Sequence, residues 1–297
     1  MSFYQYVMKI CAEDSPNVQL GLKQKREGTV PTDEILVPGV LTWQEYCDRR
    51  AHEDEMEQCI GLDGEFYEGK QILMFPPTVL NACERIAETL KSLKRTARAM
   101  GVDPAEGGDK TAMVIVDEMG IIEVYSRKTP NTAMITSETL AMMRQYKIEP
   151  RNVLFDRGGG GKQHADRLRQ QGYNVRTVGF GESPQLELKR GHYQLEARKD
   201  LKEQKYVYKD RRAQMYGDLM LLTEQGFGLP KEYPEVRFQL HKIPKTYDEE
   251  GTLVLLPKGG EGGLIELIGH SPDEADALVL AVHGMLHKPI RQTAGVG

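Results

Sequence analysis

The sequence has no long apolar segment. No run approaches the ~18 residues that a helix needs to cross a bilayer. The first ten residues lack the basic segment followed by an apolar stretch that marks a secretory signal. Together these two absences predict a cytoplasmic protein.

Cysteine is scarce, and the spacing of the cysteines does not indicate a metal site. The four cysteines are widely separated and form no C-x-x-C pair: Cys11, Cys47, Cys59 and Cys83. This spacing argues against a zinc ribbon and against a disulfide framework. We expect four reduced, partly buried thiols that take no part in the chemistry.

An excess of positive charge is also missing. The net charge is −5 over 297 residues, which argues against a protein that coats DNA regardless of sequence. It remains compatible with an enzyme that meets DNA through a local basic face. Hydrophobic residues make up 39% of the chain and charged residues 28%, so a packed core is expected.

A complete phosphate-binding loop is absent as well. GGGGK at residues 158–162 superficially resembles one, but Gln163 stands where a Ser or Thr would bind Mg²⁺, and the spacing of the glycines fails. The sequence therefore predicts no ATPase engine. No repeat of 20–50 residues is evident either.

The hydrophobic pattern from residue 96 onward predicts an α/β domain. Short apolar runs indicate strands over 98–102, 111–117, 121–126, 152–155, 173–178 and 252–257. Helices are expected over 137–146, 161–171, 192–225 and 271–286. Antiparallel strands followed by strand–helix alternation predict a mixed β-sheet flanked by helices on both faces.

Residues 1–95 differ from the rest. They carry several turn signals and two expected helices, over 42–57 and 78–93. Thr42 can cap the first helix, with Glu45 completing a capping box. We therefore place a domain boundary between residues 95 and 96, with the main domain extending over 96–290.

Four acidic residues lie at the ends or starts of predicted elements. Asp103 and Asp156 close two strands, while Asp273 and Asp276 share one face of the last helix. Phosphodiester hydrolysis can use two metal ions ~3.5–4 Å apart, and Mg²⁺ prefers a few convergent carboxylates. The pattern favours a site for two Mg²⁺ or Mn²⁺ ions.

Each acid also has a structural explanation. Asp103 and Asp156 can be ordinary turn residues. Asp273 can serve the helix dipole behind a capping box of Ser271 and Glu274. Asp276 is harder to explain in this way, because its helix is apolar nearly all round and a buried carboxylate is costly unless it is paired or metal-bound.

Four motifs together resemble one family. GVDPA at 101–105 with GDKT at 108–111, DRGGGG at 156–161, YKDRRAQMY at 208–216 and SPDEADAL at 271–278 are similar, in order and spacing, to the nuclease domain of viral large terminase subunits. In related sequences Asn often stands in place of Asp210. Residues 37–39 and 61–66 look like the linker that follows the terminase motor domain.

The resemblance implies an RNase H-like fold and endonucleolytic cutting of concatemeric viral DNA during genome packaging. It also implies that Asp103, Asp156 and Asp273 are catalytic metal ligands, with Asp276 as a fourth or supporting ligand. It implies that residues 1–95 are a linker or remnant after a missing ATPase motor domain. Implied partners are double-stranded DNA, a portal protein and a small terminase subunit. The implied location is the cytoplasm of the bacterial host, transiently at the procapsid portal.

Basic residues are candidates for phosphate contact. If the chain is a nuclease, its Lys and Arg side chains are expected to contact the DNA backbone. A solvated helix for 189–212, and a structural ion pair for Arg157, remain alternatives. The predicted DNA-binding residues are Arg157, Lys162, Lys189, Arg190, Arg198, Lys202, Arg211 and Arg212.

Two other functions remain open. Another RNase H-like nuclease, of the junction resolvase or transposase type, would use the same acids. A non-catalytic DNA-binding packaging module could keep the fold without the chemistry, although intact acids at all three positions disfavour this.

Overall fold

A computed structural model describes residues 9–53, 55–65, 72–105, 109–129, 131–185 and 206–287. The chain forms two compact units, Met1–Ile72 and Leu73–Gly297. The division thus lies upstream of the expected boundary at 95/96. The reason is helix α4 (Pro77–Leu90), whose residues Leu80 and Cys83 are buried in the core of the second unit.

The first unit is helical. It contains a 3-10 turn, Ala12–Asp14, and the helices α1 (Pro16–Arg26), α2 (Trp43–His52) and α3 (Glu55–Gly61). Val18, Tyr46 and Leu62 form its small core. The predicted capping box at Thr42 and Glu45 is present. The single helix expected over 42–57 is two helices, because the backbone becomes extended at Glu53.

The second unit is built on a five-stranded mixed sheet, as predicted. Its strands are β1 (Ala99–Asp103), β2 (Lys110–Asp117), β3 (Gly120–Lys128), β4 (Val153–Asp156) and β5 (Arg176–Val178). The spatial order is β3-β2-β1-β4-β5. Strand β1 is antiparallel to β2 and parallel to β4, so it is the centre of the sheet and the point where strand direction changes.

Helices cover both faces of this sheet. The further helices are α5 (Ala133–Gln145), α6 (Gly161–Gln170), α7 (Arg211–Glu224), α8 (Pro234–His241), α9 (Leu264–Ile268) and α10 (Asp273–Leu286). Alternate strand residues point to opposite faces. Val114 and Val116 pack with α7 and α10, whereas Met113 and Ile115 pack with α5 and α6.

Helix α10 lies directly on the central strand because of a glycine. A Cβ atom added at Gly101 would sit 2.0 Å from the carbonyl oxygen of Ala277 and 2.5 Å from the amide nitrogen of Ala281. No other residue type permits this approach. The close contact sets the first turn of α10 beside the end of β1.

Several predicted elements differ from the structure. The strand expected over 173–178 is only three residues long, and that expected over 252–257 is β7 (Leu253–Val254), paired with β6 (Thr246–Tyr247). Helices α8 and α9 were not anticipated, because each is short and lies among turn residues. None of the helices in the described ranges is long and apolar enough to cross a membrane.

Candidate active site

Two of the predicted acids lie at the ends of neighbouring parallel strands. Val102 of β1 pairs in register with Phe155 of β4, and the two strands are parallel. The next residue on each strand is therefore at the same sheet edge: Asp103 on β1 and Asp156 on β4. Asp103 is buried, and Asp156 is half-buried.

The glycines after Asp156 allow the chain to turn tightly against it. Gly159 and Gly160 adopt positive φ angles of 53° and 78°, which favour glycine. A Cβ atom at Gly161 would lie 1.8 Å from the carbonyl oxygen of Asp156. The glycine run that resembles a phosphate loop is thus accounted for by the turn from β4 into α6.

The first turn of α10 brings two more carboxylates to this edge. Asp273 accepts a hydrogen bond from the backbone N–H of Lys110 at 3.1 Å. The helix begins at Asp273, and its N-cap residue, Pro272, has no capping hydrogen bond from a side chain. The alternative that Glu274 completes a capping box is wrong, since its carboxylate accepts from Ser126 and Gln239 instead.

A lysine that the sequence analysis missed lies at the centre of the acids. Lys258 Nζ is 3.7 Å from Asp103 Oδ2, 4.0 Å from Asp273 Oδ1 and 3.2 Å from Asp276 Oδ2. Its backbone carbonyl accepts from the N–H of Ile265, which anchors the segment before α9. In the sequence Lys258 stands between a short strand and a glycine-rich loop, where nothing indicates its contacts.

Asp276 is held by a buried pair from helix α7. Arg212 Nη2 donates to Asp276 Oδ1 at 3.1 Å, and the Tyr216 hydroxyl donates to the same oxygen at 2.7 Å. The Arg212 guanidinium also lies over the rings of Phe180 and Tyr216, 5.5 and 5.6 Å from their centroids. The sequence predicts that Arg212 contacts DNA, but in the structure the Arg212 side chain is buried and paired with Asp276.

Three of the four acids are costly to ionise in this setting. Burial raises the pKa of Asp103 well above its ordinary value, and repulsion from Asp276 adds to the rise despite Lys258. Burial likewise raises the pKa of Asp156, and that of Asp273 to about 6. Burial also acts to raise the pKa of Asp276, but attraction to Arg212 and Lys258 outweighs it, so that pKa is lowered.

The arrangement fits divalent cations. Asp103 Oδ2 is buried, and no group in the described ranges forms a hydrogen bond with it. Four carboxylates face two basic side chains here, so ionising all four would leave two negative charges without a pairing cation among the described residues. Carboxylate oxygens are the hard ligands that Mg²⁺ and Mn²⁺ prefer.

Apart from Arg212, the predicted DNA-contacting residues fall into three groups. Arg157 pairs with Glu182, and Arg211 donates to the backbone carbonyl of Ser183, so both are engaged by the segment after β5. Lys162 is exposed on the first turn of α6, close in sequence to Asp156. The remaining predicted residues lie outside the described ranges: Lys189, Arg190, Arg198 and Lys202.

Comparison with known proteins identifies the fold. No family model and no curated protein matches the chain. Among solved structures, the nuclease domain of the large terminase subunit gp2 of bacterial virus Sf6 matches with a TM-score of 0.56 at 16% identity, covering 74% of this chain and 100% of that chain. A structure of the same domain with calcium gives a TM-score of 0.55 at 17% identity, covering 73% and 100%.

A third Sf6 structure, with manganese and beta-thujaplicinol, gives the same agreement as the first: a TM-score of 0.56 at 16% identity over 74% of this chain and 100% of that chain. At such low identity the likeness establishes the fold. The RNase H-like fold predicted from the sequence is therefore confirmed.

Proposed function

We propose that this chain is a metal-dependent endonuclease that cuts double-stranded DNA. The observation that carries the proposal is the convergence of Asp103, Asp156 and Asp273 at one sheet edge, from two strand ends and a helix start. Rigid elements of this kind are suited to aiming ligands. The Sf6 domain with the same fold is named a nuclease, and its solved structures include manganese and calcium.

Asp103, Asp156 and Asp273 would hold the ions, two Mg²⁺ or Mn²⁺, with Asp276 as a supporting ligand. Bound metal ions would stabilise the charge on the attacking and leaving oxygens of a phosphodiester. Arg212 and Tyr216 hold Asp276 through Oδ1. Arg212 Nη2 also donates to Oδ2 at 3.4 Å, and Lys258 Nζ lies 3.2 Å from that oxygen. Lys258 neutralises part of the carboxylate charge.

The setting we infer is viral genome packaging. The nuclease would cut concatemeric viral DNA as part of a large terminase, with a portal protein and a small terminase subunit as partners. It would act in the cytoplasm of the bacterial host, transiently at the procapsid portal. Residues 1–72 would be the linker or remnant after an ATPase motor domain, because α4 packs into the core of the second unit. This setting rests on the four-motif resemblance together with the fold.

Plasmid cutting tests the proposal. Supercoiled plasmid incubated with the protein and Mn²⁺ should become nicked and then linear, and EDTA should stop the reaction. Asp156→Asn should abolish cutting, whereas Asp166→Asn should not, because Asp166 is a half-exposed acid on α6 paired only with Arg169 in the described structure. Intact plasmid at high protein concentration, with duplex binding retained, would support a non-catalytic DNA-binding module instead.

A substrate comparison separates the remaining nuclease alternative. A junction resolvase or transposase type of enzyme would strongly prefer a four-way junction or a specific end sequence over plain duplex. The proposed terminase nuclease should cut linear duplexes of unrelated sequence at similar rates, because no base-reading motif such as a zinc finger or homeodomain is apparent in the sequence.

A further inference from the structure

A second cluster of potential ligands lies where α10 ends, away from Asp273 at its start. It consists of Asp218 from α7, His283 from α10 and His287 immediately after α10. One nitrogen of each histidine and one carboxylate oxygen of Asp218 all lie within 4.8 Å of one another. His287 Nε2 is 2.9 Å from Asp218 Oδ2, and the two imidazole rings are 4.3 Å apart between centroids.

The helix places both histidines on one face. His283 and His287 are four residues apart, and the backbone N–H of His287 donates to the carbonyl of His283 at 2.9 Å, so the helical hydrogen bonding continues to this point. Two imidazoles spaced i, i+4 with a carboxylate from a second element form a three-ligand set typical of zinc, with a fourth position left for water.

His283 has ligand capacity that the protein leaves unused. Its side chain is 2% exposed, and its Nδ1 atom is buried without a hydrogen-bond partner among the described residues. Buried polar atoms in native proteins nearly always have a partner, so an exception points to a missing group.

The ligand atoms select the kind of metal. Two of the three are imidazole nitrogens, which suit Zn²⁺ and similar transition-metal ions, whereas Mg²⁺ and Ca²⁺ prefer oxygen ligands. Arg176 lies nearby and donates to the backbone carbonyls of Gly284 and His287. Its positive charge opposes any divalent ion, so binding here would rest on the bonds to imidazole nitrogen.

We propose that Asp218, His283 and His287 form a binding site for Zn²⁺ or a similar transition-metal ion, which clamps the end of α10 to α7. Ligands at ~2.0–2.1 Å around a tetrahedral ion are ~3.3 Å apart, so the cluster needs only a small closure. His287 lies at the helix end, where the backbone is already extended and can adjust. The site does not depend on whether the chain cuts DNA.

Zinc retention by the full chain tests this site. An Asp273→Asn background weakens zinc binding at the carboxylate site, and the protein is dialysed against Zn²⁺ and then against metal-free buffer with excess Mg²⁺. We expect one equivalent of retained zinc by elemental analysis and a melting temperature several degrees higher than that of the zinc-free protein. His287→Gln and Asp218→Asn should each lose the retained zinc and the thermal shift.

His270→Gln is the matched control. His270 pairs with Glu235 and takes no part in the cluster, so this variant should keep its zinc. No retained zinc in the parent protein, or equal retention in the parent, His287→Gln and Asp218→Asn, would overturn the proposal. His287 and Asp218 are chosen because their side chains are 13% and 15% exposed, which makes both substitutions less disruptive than one at His283.

Discussion

Lys258 Nζ lies 3.2 Å from Asp276 Oδ2 and within 4.0 Å of Asp103 and Asp273, so a basic side chain of the protein neutralises the acids that would hold metal. A metal ion bound at this site would compete with the ammonium group for the same oxygens. The contact links stability without metal to affinity for metal.

Removing that charge should therefore tighten metal binding. We expect Lys258→Ala to lower the Kd for Mn²⁺ about tenfold, which corresponds to ~1.4 kcal/mol, and to lower the stability of the metal-free protein because the carboxylates then repel one another. Lys258→Arg keeps the charge and should change the Kd much less. Calorimetric titration with Mn²⁺ measures the Kd of both variants. An unchanged or weaker affinity in Lys258→Ala would contradict the competition.

Asp273→Asn and Asp276→Asn should differ in stability. Asp276→Asn leaves Arg212 as a buried charge without its carboxylate, which should cost ~3–5 kcal/mol. Asp273→Asn removes an acid that is already costly to ionise, so the metal-free protein should be equally or more stable, while cutting is lost. Urea unfolding without metal, beside plasmid nicking, separates the two. Equal destabilisation by both substitutions would show that the Arg212 contact is unimportant.

Substitutions of the exposed Lys162 and the buried Arg212 should have different effects on the salt dependence of DNA binding. Lys162→Ala is expected to weaken duplex binding and to reduce the slope of log K against log salt by about 1. Arg212→Met should destabilise the protein but leave that slope unchanged, because Arg212 contacts Asp276. Fluorescence anisotropy at several salt concentrations measures the slopes. A reduced slope in folded Arg212→Met would return this residue to the DNA-binding set.

Gly101→Ala should separate α10 from the sheet. The added methyl would meet the Ala277 carbonyl oxygen at 2.0 Å, so helix and strand must move apart. We expect a loss of ~1–3 kcal/mol in stability, with cutting reduced more than at a neutral site because Asp273 and Asp276 move with the helix. Gly181→Ala is the control, since nothing lies within 4 Å of its added Cβ. Thermal melts that coincide for both variants would rule out the tight contact.

Stability of the metal-free protein should fall as pH rises through the titration of Asp273. Its pKa is about 6 in the folded protein and near the ordinary 3.8 when unfolded, so the folded state binds more protons between these values. Stability should decrease by on the order of 1.4 kcal/mol per pH unit across that interval. Unfolding midpoints from pH 4 to 6.5 test this, and Asp273→Asn should make the decline shallower while the contributions of Asp103 and Asp156 remain. Saturating Mn²⁺ should reverse the trend in the parent.

The local sequence was sufficient to predict the sheet and the positions of Asp103, Asp156 and Asp273 at the ends of its strands and the start of a helix. Short apolar runs predicted β2 and β3, and an apolar run ending in an acid predicted β4 with Asp156, because such runs are properties of adjacent residues. The Thr42 capping box is likewise a local property. The RNase H-like fold followed from four motifs in order. Helices α8 and α9 were missed since short helices depend on packing more than on propensity.

Only the tertiary structure decided which charges meet. Lys258 reaches Asp103 across 155 positions of chain, and Arg212 reaches Asp276 across 64; no local pattern encodes such pairs. The same holds for Asp218 on α7 and for His283 and His287 at the end of α10. Burial is set when elements pack, so sequence could propose that Asp276 needed a partner, whereas the α7–α10 contact determined that the partner is Arg212.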